Sequence, residues 1–297
     1  MVDRAESDNK FGGQTFMGIT ENNFTNNEQK FGMLEMILLF SIGCGNANSQ
    51  KEDTMTLSLK IASYNVHNAI GMDDMVDFDR VANVINDMEV DTFAIQVLDS
   101  ARERSNGLVV LNELAKRTNM IATFSASIVF DGGKYSNGIL AKEQPLKREA
   151  IAILGREEER SLLIVELEHY VIYCTHLSLK EQDRQASIKL IQQQTEKYQT
   201  KPVFLEGDLN ALHNSNEIRN LSASWILQSD STQATYPSDA PTEVIDYIFL
   251  KSNSAFNTVV KNAIVVDEPM ASDHRPLWVE VTVEQWPKNL QTSLQFY

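Results

Sequence analysis

The sequence predicts an α/β fold in which two mixed β-sheets pack face to face with helices on the outside. Three observations carry this. Short apolar runs of strand length recur along the chain, bounded by Gly, Asp, Asn and Ser. Segments with helical spacing fall between some of these runs but do not alternate strictly with them, which argues against a single parallel sheet. At 297 residues and 42% hydrophobic, the chain suffices for one large core, and it shows no internal repeat.

In order, Leu57–Tyr64 alternates in part and reads as a strand ending at Asn65. Phe78, Val81, Ile85 and Met88 recur at helical spacing behind Asp77, an N-cap candidate. Thr92–Val97 is a buried strand, and Leu108–Lys116 a helix with Leu111, Leu114 and Ala115 inward. The middle is richer in strands: Ile121–Phe130, a turn at 131–133, then Gly138–Ala141, Ala150–Leu154, Ser161–Glu168 and Tyr170–Thr175. Glu181–Tyr198 reads as a helix with Ala186, Ile188, Leu190 and Ile191 inward. After Pro202 comes the apolar run from Val203, then a short helix over Asn214–Leu221 and strands over Val244–Leu250, Asn262–Val266 and Leu277–Val283. Residues 55–284 contain no linker and read as one domain, with 285–297 as a tail.

Residues 1–54 differ in texture. The first 32 are polar and without period, as in a disordered extension. Within 33–44, Met36–Cys44 is a short apolar run ending in small residues, of signal-peptide length. Ser41-Ile42-Gly43-Cys44 resembles a bacterial lipoprotein cleavage box, with Ser41 where Leu is usual and Cys44 as the lipidated residue. A short buried helix is the alternative. The first reading implies an extracytoplasmic, membrane-anchored protein on a polar tether, the second a cytoplasmic one. The two cysteines offer neither a disulfide framework nor a zinc cluster, and no apolar run is long enough to span a membrane. A net charge of −15 repels polyanions and disfavours stable coating of nucleic acid.

Polar residues interrupt the apolar runs at one kind of place, read here as the C-terminal ends of strands. They are Asn65, Gln96, His176, Asp208 with Asn210, Asp246, and Asp273 with His274. In Gly207-Asp208-Leu209-Asn210 an extended chain would point both polar side chains to one side. There they could hold a water and a phosphoryl oxygen; a plain turn is the alternative. Asp246, flanked on both sides by core residues, needs a partner.

The motifs Tyr64-Asn65, Thr175-His176-Leu177, Gly207-Asp208-Leu209-Asn210, Ile245-Asp246-Tyr247 and Ser272-Asp273-His274 occur in this order. Together they resemble the endonuclease/exonuclease/phosphatase superfamily of metal-dependent phosphoesterases, over about residues 57–284. The resemblance implies a four-layered α/β sandwich with these residues in one cleft, and hydrolysis of a phosphoester by in-line water attack with Mg2+, or Mn2+ as the alternative ion. It implies that Asp246 orients His274 as base or phosphate clamp and that Asp208 positions the attacking water and borders the metal. Asn65 and Asn210 would bind phosphoryl oxygens, His176 would serve the leaving oxygen, and Asp273 would support the metal. The texture is similar to secreted or lipidated bacterial members, and His176 fits the branch of deoxyribonucleases, sphingomyelinases and inositol-phosphate phosphatases. Asn137 and Arg160 are further candidates for phosphate contact, with turn polarity and surface charge as their alternatives. The expected partner is a small phosphoester, a lipid head group or nucleic acid as substrate, and the protein a monomer.

One position departs from the pattern. The family places a glutamate, its chief magnesium ligand, directly after the Gln of the second strand, where this chain has Gln96-Val97-Leu98-Asp99. Magnesium is commonly held by one or two protein carboxylates, water and substrate phosphate, so losing one should weaken the site badly. Asp99 would replace it only if the strand continued, and a bend into a loop is expected there. An impaired enzyme is the leading expectation, and a non-catalytic binder of phosphate esters the alternative.

Overall fold

The structure is a computed structural model that describes residues 56–100, 108–125, 134–253 and 255–285. The signal-like segment with Cys44, its tether, the turn at 131–133 and the tail beyond 285 lie outside the described residues.

The first sheet contains β1 (Thr56–Asn65), β2 (Thr92–Ser100), β3 (Ile121–Phe124), β4 (Lys134–Ala141), β11 (Phe256–Val265) and β12 (Leu277–Gln285), in the order β11-β12-β1-β2-β4-β3. The second contains β5 (Lys147–Ile153), β6 (Arg160–Glu166), β7 (Val171–His176), β8 (Val203–Asp208), β9 (Trp225–Leu227) and β10 (Asp246–Lys251), in the order β5-β6-β7-β8-β10-β9. Within each, one central pair is parallel, β1 with β2 and β7 with β8. The alternation of strand side chains sorts the core. Leu59, Ile61 and Ala94 meet Ile172, Phe204 and Ile248 between the sheets. The opposite faces carry α1 (Phe78–Met88) and α2 (Val110–Thr118) on one side, with Ile85 and Leu114 against Phe93. On the other, α3 (Glu181–Gln194) and α4 (Asn216–Ser222) set Ile191 and Leu221 against Tyr173 and Leu205. These are the four layers of an α/β sandwich.

Local sequence sets the boundaries. Asp77 caps α1 by accepting the Arg80 N–H at 2.9 Å, as expected. The third helix ends at Gln194, earlier than the apolar spacing suggested. The last turn tightens there into a 3-10 turn, and the Thr195 hydroxyl donates to the Gln192 carbonyl. β11 begins at Phe256, six residues before the expected start, because Val259 and Val260 sit exposed on a sheet edge and leave no alternating signature.

Two expectations need correction. Asp246 does not end a strand; it opens β10, and Asp273 and His274 precede β12. Because β10 and β12 run antiparallel to β8 and β1, their starts lie at the same rim as the ends of those strands. Nor does β2 end in a loop after Val97. It continues to Ser100 through a register shift between Ile95 and Leu98, with Val97 in the left-handed region at φ 58°.

Gly207 has a φ of 151°, and a Cβ there would run into the Thr175 carbonyl of the adjoining strand. Gly207→Ala is therefore expected to destabilise the domain by about 2–4 kcal/mol in denaturant melts. A change below half of that would mean that β7 and β8 separate readily at this point.

Candidate active site

The shared rim of the two sheets surrounds a cleft of about 470 Å³, lined among others by Asn65, Val97, Arg160, His176, Asp208, Asn210, Asp273 and His274. Of the polar residues singled out from sequence, Gln96, Asp246 and Asn137 are not part of this lining, and Gln96 is spent on Ser63 and Cys174 between the sheets. Asp246 touches it through His274.

Asp208 is the hub. Its Oδ2 accepts the Asn65 amide at 3.1 Å and lies 3.3 Å from His176 Nε2 and 3.7 Å from His274 Nε2. Its Oδ1 accepts the Asn210 N–H at 2.9 Å. That last bond closes a turn, with Asn210 at φ 49°. The turn reading of Gly207–Asn210 is therefore correct, and the chain is not extended as the pairing of Asp208 with Asn210 on one side required. The Asn210 amide donates to the Leu177 carbonyl, which leaves it one N–H for a ligand.

Asp246 is buried, and its Oδ2 takes two hydrogen bonds, from the Thr235 hydroxyl at 2.6 Å and from His274 Nδ1 at 2.9 Å. Burial alone would lower the His274 pKa. The charges of Asp246 and Asp208, the hydrogen bond to Asp246 and the charge of Asp273 outweigh it and hold the imidazole protonated, at about 10. Both ring nitrogens then carry hydrogen, so Nδ1 donates to Asp246. His176 is the opposite case: burial pushes it down to about 3 despite the attraction of Asp208, with Arg160 and His274 working in the same direction as burial. Two histidines flanking one carboxylate thus hold different charge states.

Arg160 is buried, with Nη2 3.0 Å from the Glu158 carboxylate. Its Nε and Nη1 have no hydrogen-bond partner in the protein, and the residue lines the cleft. Unpaired buried donors are costly, so a guanidinium held this way suits an anion. Asn137 does not fit the expectation of phosphate contact. It lies within β4, and its amide crosses between the sheets to the Ser161 carbonyl at 2.8 Å. Its polarity serves the sandwich.

Sequence reasoning missed Thr235, Tyr236 and His67. Tyr236 lies over the His274 ring at a centroid distance of 4.8 Å. His67 lines the cleft just past β1. Thr235-Tyr236-Pro237 sits in a polar stretch without period, and only the demand of Asp246 for a second partner pointed toward such a hydroxyl.

The chemistry of the donors can be tested against a divalent ion. Asp208, Asp246 and His274 offer ligand atoms within 4.8 Å of one another and could hold a metal once His274 gives up a proton. The buried Asp246 Oδ1 has no hydrogen-bond partner, which leaves a carboxylate oxygen for a cation. Asp273 adds a partly exposed carboxylate at the cleft. These residues fit such an ion. Val97 adds nothing to them: it is 6% exposed, lines the same cleft and is aliphatic.

Fold and cleft together define the class, a four-layered α/β sandwich with a polar cleft at the shared rim of its sheets. The chain belongs to the Endonuclease/Exonuclease/phosphatase family, whose model matches residues 62–274. Solved structures agree in fold. A family protein from Leptotrichia buccalis is 21% identical with a TM-score of 0.60, covering 74% of this chain and 98% of that one. The mannosyl-6-phosphatase of Bacteroides thetaiotaomicron is 15% identical with a TM-score of 0.59, covering 75% and 99%. D. rerio TDP2 complexed with single strand DNA product is 18% identical with a TM-score of 0.54, covering 75% and 98%. Among curated proteins none matches the chain.

Proposed function

We propose that this protein is a metal-dependent hydrolase of phosphoester bonds, acting on a phosphodiester or phosphomonoester by in-line attack of water, and that Val97 impairs it. The observation that carries the reading is the buried chain Thr235–Asp246–His274, which ends against Asp208. Such a chain fixes one imidazolium and one carboxylate at a rim open to solvent, as in-line displacement needs.

In this reading Asp208 orients the attacking water and takes its proton, while Asn65 holds that carboxylate in place. His274, kept cationic by Asp246, donates to a phosphoryl oxygen as a clamp. Neutral His176 and the remaining N–H of Asn210 serve the leaving side, and Arg160 takes a further phosphate oxygen. A divalent ion, Mg2+ or alternatively Mn2+, would be held by Asp208 and Asp273 and would neutralise charge on the phosphoryl oxygens. The mannosyl-6-phosphatase and the TDP2–DNA complex support phosphoester substrates in general. With a net charge of −15, a small phosphoester fits this chain better than duplex DNA.

Release of nitrophenol from bis(p-nitrophenyl) phosphate during a Mg2+ titration tests the reading. Slow, ion-dependent turnover is expected, and His274→Ala should reduce it by about 10²–10⁴-fold. An unchanged rate in that variant would end the assignment. The aliphatic Val97 favours a second reading, a non-catalytic binder of phosphate esters. It would replace the first if phosphate esters bound at every ion concentration without turnover.

A further inference from the structure

The two walls of the cleft differ in chemistry. Apart from Val97, the wall from the first sheet is polar, with Asn65, His67, Asp273 and His274. The wall from the second sheet adds Leu179, Leu212 and Ile245 beside Tyr236 and Glu243. Leu179 lies three residues past His176, and Leu212 two past Asn210, the pair assigned above to the leaving side. The two leucines are 67% and 47% exposed.

Their neighbours in sequence are buried. Leu177, Leu209 and Ala211 fill the core between the second sheet and its helices. Leu179 and Leu212 do not follow them, because hydrogen bonds fix the backbone that carries them. The Leu179 N–H donates to the Glu157 carboxylate at 2.8 Å, and its carbonyl accepts from Arg184 Nη1 at 2.8 Å. The Leu212 carbonyl accepts the N–H of Ser215, the cap of α4, at 2.9 Å. The two loops leave parallel neighbours, β7 and β8, and are tied to each other. The Leu177 N–H donates to the Asp208 carbonyl, and the Asn210 amide to the Leu177 carbonyl, each at 2.9 Å.

A leucine offers a ligand neither donor nor acceptor and gains only from the apolar surface it covers. A sugar hydroxyl set against it would lose water without finding a partner. We propose that Leu179 and Leu212 select the organic part of the substrate: a soluble phosphoester whose leaving alcohol is a small alkyl or aryl group, in preference to a sugar or a nucleoside. A cleft of about 470 Å³ has room for such a molecule. A net charge of −15 repels the anionic membrane surface that would present a phospholipid instead. The inference rests on the reading that the cleft takes a phosphoester, but it concerns binding and does not require turnover.

Calorimetric titration of the full chain in Mg2+ with inorganic phosphate, methyl phosphate, hexyl phosphate and glucose 6-phosphate tests it. Hexyl phosphate should bind about 10–100-fold more tightly than methyl phosphate, and more tightly than glucose 6-phosphate. Leu179→Ser combined with Leu212→Ser should bring the hexyl-to-methyl ratio down to about 1–3, and Leu179→Met with Leu212→Met should restore it. Equal affinity for methyl and hexyl phosphate would overturn the proposal, as would tighter binding of glucose 6-phosphate or a ratio that the serine pair leaves untouched. Sedimentation with phosphatidylcholine vesicles containing phosphatidic acid, lost in the serine pair, would also overturn it by placing a membrane on these side chains. Failure of inorganic phosphate to bind would remove the phosphoester reading and the inference with it. Phosphate binding without an effect of chain length removes the inference alone.

Discussion

Val97→Glu is expected to raise the magnesium-dependent hydrolysis rate by about 10²–10³ at fixed ion concentration. Two physical changes act together. A carboxylate enters the cleft wall where the family resemblance assigns the chief ligand. The substitution also relieves backbone strain, because a β-branched residue at φ 58° is a conformational outlier and glutamate is not β-branched. The register shift that holds position 97 toward the cleft is already built, so the new side chain needs no rearrangement of β2.

The same variant should show a second signature. Without metal the added carboxylate joins Asp208 and Asp273 around one cleft, and like charges there favour the unfolded chain. With Mg2+ that cost reverses, so the melting temperature should depend on ion concentration more steeply than in the wild type. A rate gain without this dependence would mean that the carboxylate acts as a base. No gain in either would sink both the impairment and the assignment of position 97 to the metal, and would favour the binding reading.

How far the sequence reached depended on whether a polar residue stood against an apolar background. Asn65, His176, Asp208 and Asp273-His274 were legible because each closes or opens a hydrophobic run, where a plain strand would continue with an apolar residue. Asn137 had the same appearance in Ser-Asn-Gly, but its amide spans the sandwich to Ser161. Nothing local separates a polar residue that faces a ligand from one that faces a carbonyl on the other sheet. Thr235 was invisible for a different reason. It lies eleven residues before Asp246 in a stretch with no period, and only the fold turns that hydroxyl onto the carboxylate. His67 depended on a left-handed turn that only Asn68 and His67 itself hint at, since the turn contains no glycine. The sheets themselves followed from apolar runs, except at the exposed edge strand β11, where half the strand carries no inward face.

Glu206 escaped notice inside the run Val203–Asp208, and it gives the second large effect. It is 0% exposed and shares the face of β8 on which Phe204 packs between the sheets. Neither carboxylate oxygen completes a well-formed hydrogen bond, the Ala94 backbone making at most a poorly aligned one. Burial pushes its pKa well above the ordinary value of 4.5, with only the Ala94 backbone working against this. The folded state therefore holds the acid neutral, while the unfolded chain ionises near the ordinary value. The sign follows: this group favours the fold most below about pH 4.5, and that advantage falls as pH rises toward the folded pKa, by up to about 1.4 kcal/mol per pH unit. Glu206→Gln keeps the shape and removes the ionisation. At pH 7 it should stabilise the domain, and the gain should vanish near pH 4. Glu206→Leu should do at least as well at pH 7, because it also removes the unpaired polar atoms. Urea melts at pH 4, 5, 6 and 7 measure both variants. If the Gln variant kept the wild-type slope between pH 5 and 7, Glu206 would be ionised in the fold, and a cation would have to reach it between the sheets.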